Sequence, residues 1–243
     1  MALSQLQESL DKEIQQHFNP SIESCGFVVV QKGKLKYIPC ENVSEDPKNY
    51  FIVDPKLYAR YSLISDIVYI VHTHPDNTTP SEHDLTTCNA LGIPYVIYNQ
   101  EKLDHSITYP NNYKFLIGRE YKFGVRDCFE AARDWYIAHS IYAPKRAEHW
   151  KDDWWLQDYD YINNEVSNWP FKKVKTLQYG DLLTFAVEHD KENHLAVYLD
   201  RDQMYHHAAN RLSCTENMYP FWGKYLRNIY RYEKGNITRA SWR

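Results

Sequence analysis

The spacing of apolar residues changes several times along the chain, and each change marks an element. Leu6, Leu10 and Ile14 recur every fourth residue behind the capping-box pair Ser4 and Gln7, which predicts an amphipathic helix over residues 4–17. After Pro20, two apolar runs in ESCGFVVVQKGKLKYIP flank Lys32-Gly33, the pattern of a β-hairpin, with Glu23 at its mouth. NYFIVD predicts a strand, and Asp54 followed by Pro55 opens a short helix. The Ile- and Val-rich run SDIVYIVHTHP predicts a strand ending in His72 and His74, whose side chains share one face because strand side chains alternate. Ser81, between Pro80 and EHDLTTCNALG, starts a helix that runs to about Leu91 and stops at Gly92; the strand PYVIYN follows. Alternating strands and helices make this half α/β.

Turn residues in YPNNYK break the pattern and predict a boundary, giving domains 1–115 and 116–243. Beyond it, Phe129, Ala132, Tyr136 and the stretch His139 to Ile141 fall on a helical period. Asp127 caps that helix and leaves Cys128 in its first turn. A polar, tryptophan-rich stretch over residues 143–172 follows, broken by Pro144 and Pro170. TLQYGDLLTFAVE, NHLAVYLD, QMYHHAA and YLRNIYRYE then read as successive strands. Helix first and antiparallel sheet after it is an α+β layout.

Composition sharpens the division. The chain has 243 residues, room for one large domain or two small ones, and its seven tryptophans all lie in the second half. Trp150, Trp154 and Trp155 sit in the polar stretch, either exposed as an interface or packed over a cleft. A net charge of −4 with both signs interspersed argues against nucleic acid as a partner. The N-terminal sequence carries acids and no apolar core, so no signal peptide and no membrane insertion are expected, and synthesis in a host cytoplasm is. Five cysteines without a CxxC pair predict reduced thiols.

Two groups of residues carry chemistry. In HTHPDNTTPSEHD, two imidazoles and the Asp84 carboxylate can hold zinc (Zn²⁺) with one position left for water. Glu23 is either the base such a centre needs or a solvated loop carboxylate, and Cys88, one helical turn after Asp84, is either a fourth ligand or core. E-x-C-G-F, H-T-H-P and P-S-x-x-D together resemble the JAMM or MPN+ metalloprotease family over residues 5–115. That resemblance implies His72, His74 and Asp84 as zinc ligands, Glu23 as general base and Ser81 as a hydroxyl steadying the oxyanion. The DNTTP loop before Ser81 is shorter than the family's usual one.

The second group is a thiol at a helix start, where unpaired N–H groups and the helix dipole favour thiolate. Predicted strands bring His194 and His206 toward it, whereas His207 points the other way. Asp127-Cys128, Gly180-Asp181-Leu182, His194 with Ala196-Val197-Tyr198-Leu199, and His206 resemble the NlpC/P60 cysteine peptidases over residues 117–232. A papain-like core is implied, with Cys128 as nucleophile, His194 as base and His206 orienting it. Phe129-Glu130 stands where Ser-Gly is common, and Asp200 where Gly is common. The two domains in this order, with RDCFEAARDWY and YHHAANRLS, are similar to the tail-tip assembly protein K family of lambda-like phages. That similarity implies phage tail-tip partners, a peptidoglycan stem peptide as one substrate and a ubiquitin-like tail assembly protein as another. It also implies a place at the tail tip, acting in the periplasm or at the cell wall. A tail component with vestigial sites is the alternative.

Overall fold

The computed structural model describes residues 8–111, 113, 115–146, 150–151, 153–235 and 237. The chain divides into two compact units between Gly118 and Arg119. Ser4, Leu6 and Gln7 lie outside the described residues. Among the described residues, no helix is long and apolar enough to cross a membrane.

The first unit runs α1 (Glu8–Gln15), β1 (Cys25–Gln31), β2 (Lys34–Cys40), α2 (Pro55–Ile64), β3 (Asp66–His74), α3 (Glu82–Leu91), β4 (Tyr95–Asn99) and β5 (His105–Thr108). Its sheet has the order β2-β1-β3-β4-β5; β3 and β4 are parallel and the other neighbours antiparallel. Lys32 and Gly33 both take positive φ (50° and 71°), the turn geometry whose twist matches that of hairpin strands. Phe27, Val29, Ile70, Tyr95 and Ile97 pack one face of the sheet into a core that includes Cys88. The Cys88 thiol is buried there and donates to Ile93 O at 3.3 Å, which makes it a core residue and removes it as a fourth ligand.

The expected strand at NYFIVD does not form; only an isolated bridge joins Asn42 and Val53. The Asn42 side chain takes the place of a ladder partner. Its amide accepts from Ile52 N at 3.0 Å and donates to Tyr50 O at 2.9 Å and Glu23 O at 2.8 Å, satisfying the backbone locally.

The second unit comprises α4 (Cys128–Ala138), α5 (Tyr161–Val166), β6 (Phe171–Val174), β7 (Leu182–Phe185), β8 (His194–Asp200), β9 (Gln203–His206), β10 (Cys214–Asn217) and β11 (Leu226–Tyr232). The sheet order is β10-β9-β8-β7-β11-β6, antiparallel throughout, and α4 packs against β8 and β9. The helix stops before the end of its predicted period. Ser140 turns to φ 59°, its N–H donates to Ile137 O and that of Ile141 to Tyr136 O, a Schellman closure that satisfies the last carbonyls. Trp150 is buried against Phe129 and Tyr161, and Trp154 against Trp150 and Phe123, so these two are core rather than an exposed interface.

Candidate active sites

Three chain segments converge at the first site. The register pairs Cys25 with His72, and Thr73 N–H donates to Ser24 O, so the start of β1 brings Glu23 to the end of β3. His72 Nε2 and His74 Nε2 are 3.1 Å apart; Asp84 Oδ1 lies 3.3 Å from the first and Oδ2 3.4 Å from the second. A tetrahedral ion with bonds of about 2.0–2.1 Å separates its ligand atoms by about 3.3 Å, and one donor atom from each of the three residues lies within 4.8 Å of the other two, so the two imidazole nitrogens and one carboxylate oxygen suit one zinc. Asp84 is aimed by the cap of its own helix. Ser81 N and Oγ donate to Oδ2 at 2.8 and 2.7 Å, and Asp84 N donates back to Ser81 Oγ at 3.1 Å. The Ser81 hydroxyl is thus engaged with the carboxylate.

The ring orientations suit metal ligation as well. His74 Nδ1 faces Asn77 Oδ1 at 3.4 Å, which leaves Nε2 the lone pair, and His72 stacks on Phe51 with centroids 4.2 Å apart. Burial lowers the His72 pKa, favouring the neutral form a ligand needs. Burial opposes ionisation of Asp84, but hydrogen bonds from His72, His74 and Ser81 outweigh it and hold the carboxyl well below its usual range. Glu23 Oε1 is 4.0 Å from His74 Nε2, and burial pushes its pKa up to about 7, with His74 opposing and Asp84 and Asp46 adding. A cavity of about 340 Å³, lined by Glu23, Tyr50, His74, Ser81 and Asp84, opens onto the cluster.

At the second site, buried Asp127 builds the start of α4. Its Oδ1 accepts from Phe129 N (3.0 Å) and Glu130 N (3.1 Å), its Oδ2 accepts from Gly124 N (2.7 Å), and Arg146 Nη2 donates to Oδ1 at 2.5 Å. Phe123, Phe129 and Trp150 surround that guanidinium at 5.0, 4.8 and 4.8 Å. Removing the carboxylate uncaps the helix and leaves the caged cation to Glu130, whose Oε1 is 3.9 Å from Arg146 Nε, so Asp127→Ala is expected to cost about 3 kcal/mol, read by urea unfolding.

Cys128 is buried in the first turn, and the backbone N–H groups of Leu195 and Phe129 favour its thiolate. Burial nonetheless pushes the thiol up to about 12; Asp127 adds to the shift and Arg146 opposes it. His194 precedes Leu195 on β8, and its Nε2 meets His206 Nδ1 on β9 at 2.9 Å. Burial, and then His206, keep the His194 pKa well below its ordinary value, so the resting pair is thiol and neutral imidazole. No hydrogen bond among the described residues joins the Cys128 sulfur to His194. Trp222 stacks on His194 at 4.8 Å, and His206 Nε2 lies 3.8 Å from Glu216 Oε2. His207 Nε2 is directed to Arg211 O at 3.1 Å.

Comparison with known proteins follows this division. Residues 9–111 match the family model described as prokaryotic homologs of the JAB domain, and residues 118–231 match that of the NlpC/P60 family. Tail tip assembly protein K of Escherichia phage N15 is 30% identical over 224 residues, 88% of this chain and 90% of that protein. The chain belongs to the tail tip assembly protein K family. Protein K of Escherichia phage lambda is 26% identical over 183 residues, covering 74% of this chain and 89% of that one. An NLP/P60 family structure from Staphylococcus aureus aligns with a TM-score of 0.37 at 18% identity, over 49% of this chain and 38% of that one.

In this member of the K family, the residues singled out in the sequence fall into two clusters. Glu23, His72, His74, Ser81 and Asp84 form one; His194 and His206 are bonded in the other, with Cys128 beside the same strand. Arg146, Glu216 and Trp222 escaped sequence reasoning, because each reaches its cluster from a loop or a short element without a motif of its own.

Proposed function

We propose that this K-family chain is a phage tail-tip peptidase with two centres. The second unit cleaves a peptide bond in peptidoglycan stem peptides, and the first processes a protein partner during tail assembly. The observation that carries the reading is the His194 Nε2 to His206 Nδ1 bond of 2.9 Å beside a cysteine at a helix N-terminus. With Nε2 taken by His206, Nδ1 is the His194 nitrogen left to receive the thiol proton. The Cys128 sulfur attacks the peptide carbonyl, the departing amine takes the proton from His194, and water then releases the acyl group. The thiol and imidazole rest neutral, so the proton moves when substrate is bound.

In the first unit, His72, His74 and Asp84 would hold zinc, which supplies Lewis acidity toward water and a carbonyl when bound. Glu23 accepts a proton at its carboxylate, Asn77 and Ser81 keep His74 and Asp84 oriented, and Phe51 covers His72. Selective inhibition tests the assignment of the cysteine centre. Thiol alkylation is expected to stop muropeptide release from purified peptidoglycan while a chelator leaves it intact; the reverse pattern overturns the assignment.

A purely structural tail role is the second reading, and the resting neutral thiol favours it. Phages carrying Cys128→Ala or Glu23→Gln that assemble and infect normally would select it.

A further inference from the structure

We infer that Glu216 is a positioning residue of the cysteine centre: it fixes His206 in its Nε2–H form and thereby leaves His194 with a free base at Nδ1. The inference rests on the cysteine-peptidase reading above. When both imidazoles are neutral, their Nε2 to Nδ1 bond holds one proton, and either ring can carry it. If His194 carries it, His206 holds its own proton on Nε2 and His194 Nδ1 is a lone pair. If His206 Nδ1 carries it, the His194 proton moves to Nδ1 and the base is blocked. His206 alone does not choose between these arrangements; a group at its far nitrogen does.

That group is on β10. Cys214 pairs with His206 in the register, and Cys214 and Glu216 share a strand face. His206 Nε2 lies 3.8 Å from both Glu216 Oε2 and Cys214 Sγ. At this separation the carboxylate acts by charge and by its lone pairs, part of the charge being taken up by Arg211, and it favours an N–H over a lone pair facing it. Arg211 Nη2 and Trp222 Nε1 donate to its two oxygens and keep it ionised. His206, Cys214 and Glu216 are also grouped as metal ligands would be. The Arg211 guanidinium already compensates this carboxylate, so a cation would have to displace it. Glu216 has a second effect: once His194 holds the thiol proton, the carboxylate across His206 offsets the new charge.

Long-range 1H–15N spectra of the 15N-labelled full chain distinguish the two imidazole forms, with His206 resonances identified by their loss in His206→Asn. The expected result at neutral pH is His206 protonated at Nε2; protonation at Nδ1 overturns the inference without any Glu216 variant. Glu216→Gln is expected to populate the Nδ1–H form and to lower kcat about a hundredfold with KM nearly unchanged. An unchanged form with unchanged kcat overturns it. Cys214→Ser should leave the proton in place; a switch there would assign the effect to the thiol instead. If wild type releases no muropeptides, the peptidase reading fails, while the His206 spectrum still decides this one.

Discussion

Cys128→Ala is expected to lower muropeptide release from purified peptidoglycan by about a thousandfold or more, the scale lost when a covalent nucleophile is removed. The substitution separates chemistry from folding. Cys128 is buried at the start of a helix whose cap belongs to Asp127, so alanine removes one sulfur and leaves the capping bonds in place. Alanine also has the higher helix propensity, so the packing loss is on the order of 1 kcal/mol. Cys88→Ala is the matching control. That thiol is equally buried, in the core of the first unit, and its loss should leave muropeptide release unchanged. Equal release by wild type and Cys128→Ala would remove the cysteine-peptidase claim.

What could be read in the sequence was what local chemistry specifies. The hairpin at Lys32-Gly33, the strand ending at His74 and the helices capped by Ser81 and Asp127 follow from period, turn and cap signals spanning a few residues. Strands β5 (HSIT), β6 (FKKV) and β10 (CTEN) have four residues each and few apolar ones, unlike the equally short β7 (LLTF), and they exist because neighbouring strands pair with them. NYFIVD has β-rich composition, yet the Asn42 side chain bonds the backbone of Tyr50 and Ile52, eight and ten residues later, a competition no propensity records. The candidate sites divide in the same way. Ligand types and the thiol at a helix start were legible, because strand alternation and capping set their directions. Glu216 facing His206, Arg146 bound to Asp127 and Phe51 stacked on His72 arise only from tertiary packing.

The zinc half predicts a loss of comparable size. Wild type should carry about one zinc per chain, and His72→Ala should bind it at least about a hundredfold more weakly, since two remaining ligands leave the ion to water. Zinc at about a thousand times its Kd should stabilise the protein by roughly 4 kcal/mol in urea unfolding, and His72→Ala should abolish the increment. His72 is fully buried against Phe51, so its loss also opens a cavity; chelated wild type is therefore the reference that isolates the metal. Glu23→Gln distinguishes ligand from base, because it should keep the zinc and lose cleavage of the protein partner. The pH profile gives the sign. Burial first, then Asp84 and Asp46, raise Glu23 to about 7 against the opposing pull of His74, and a base works only when deprotonated. In the absence of other titrations the rate should climb as pH rises through about 7, and a bound cation shifts the climb to lower pH by favouring the carboxylate. A wild-type chain that folds fully without metal and gains no stability from zinc would overturn the assignment of His72, His74 and Asp84 as ligands, whatever the activity of Glu23.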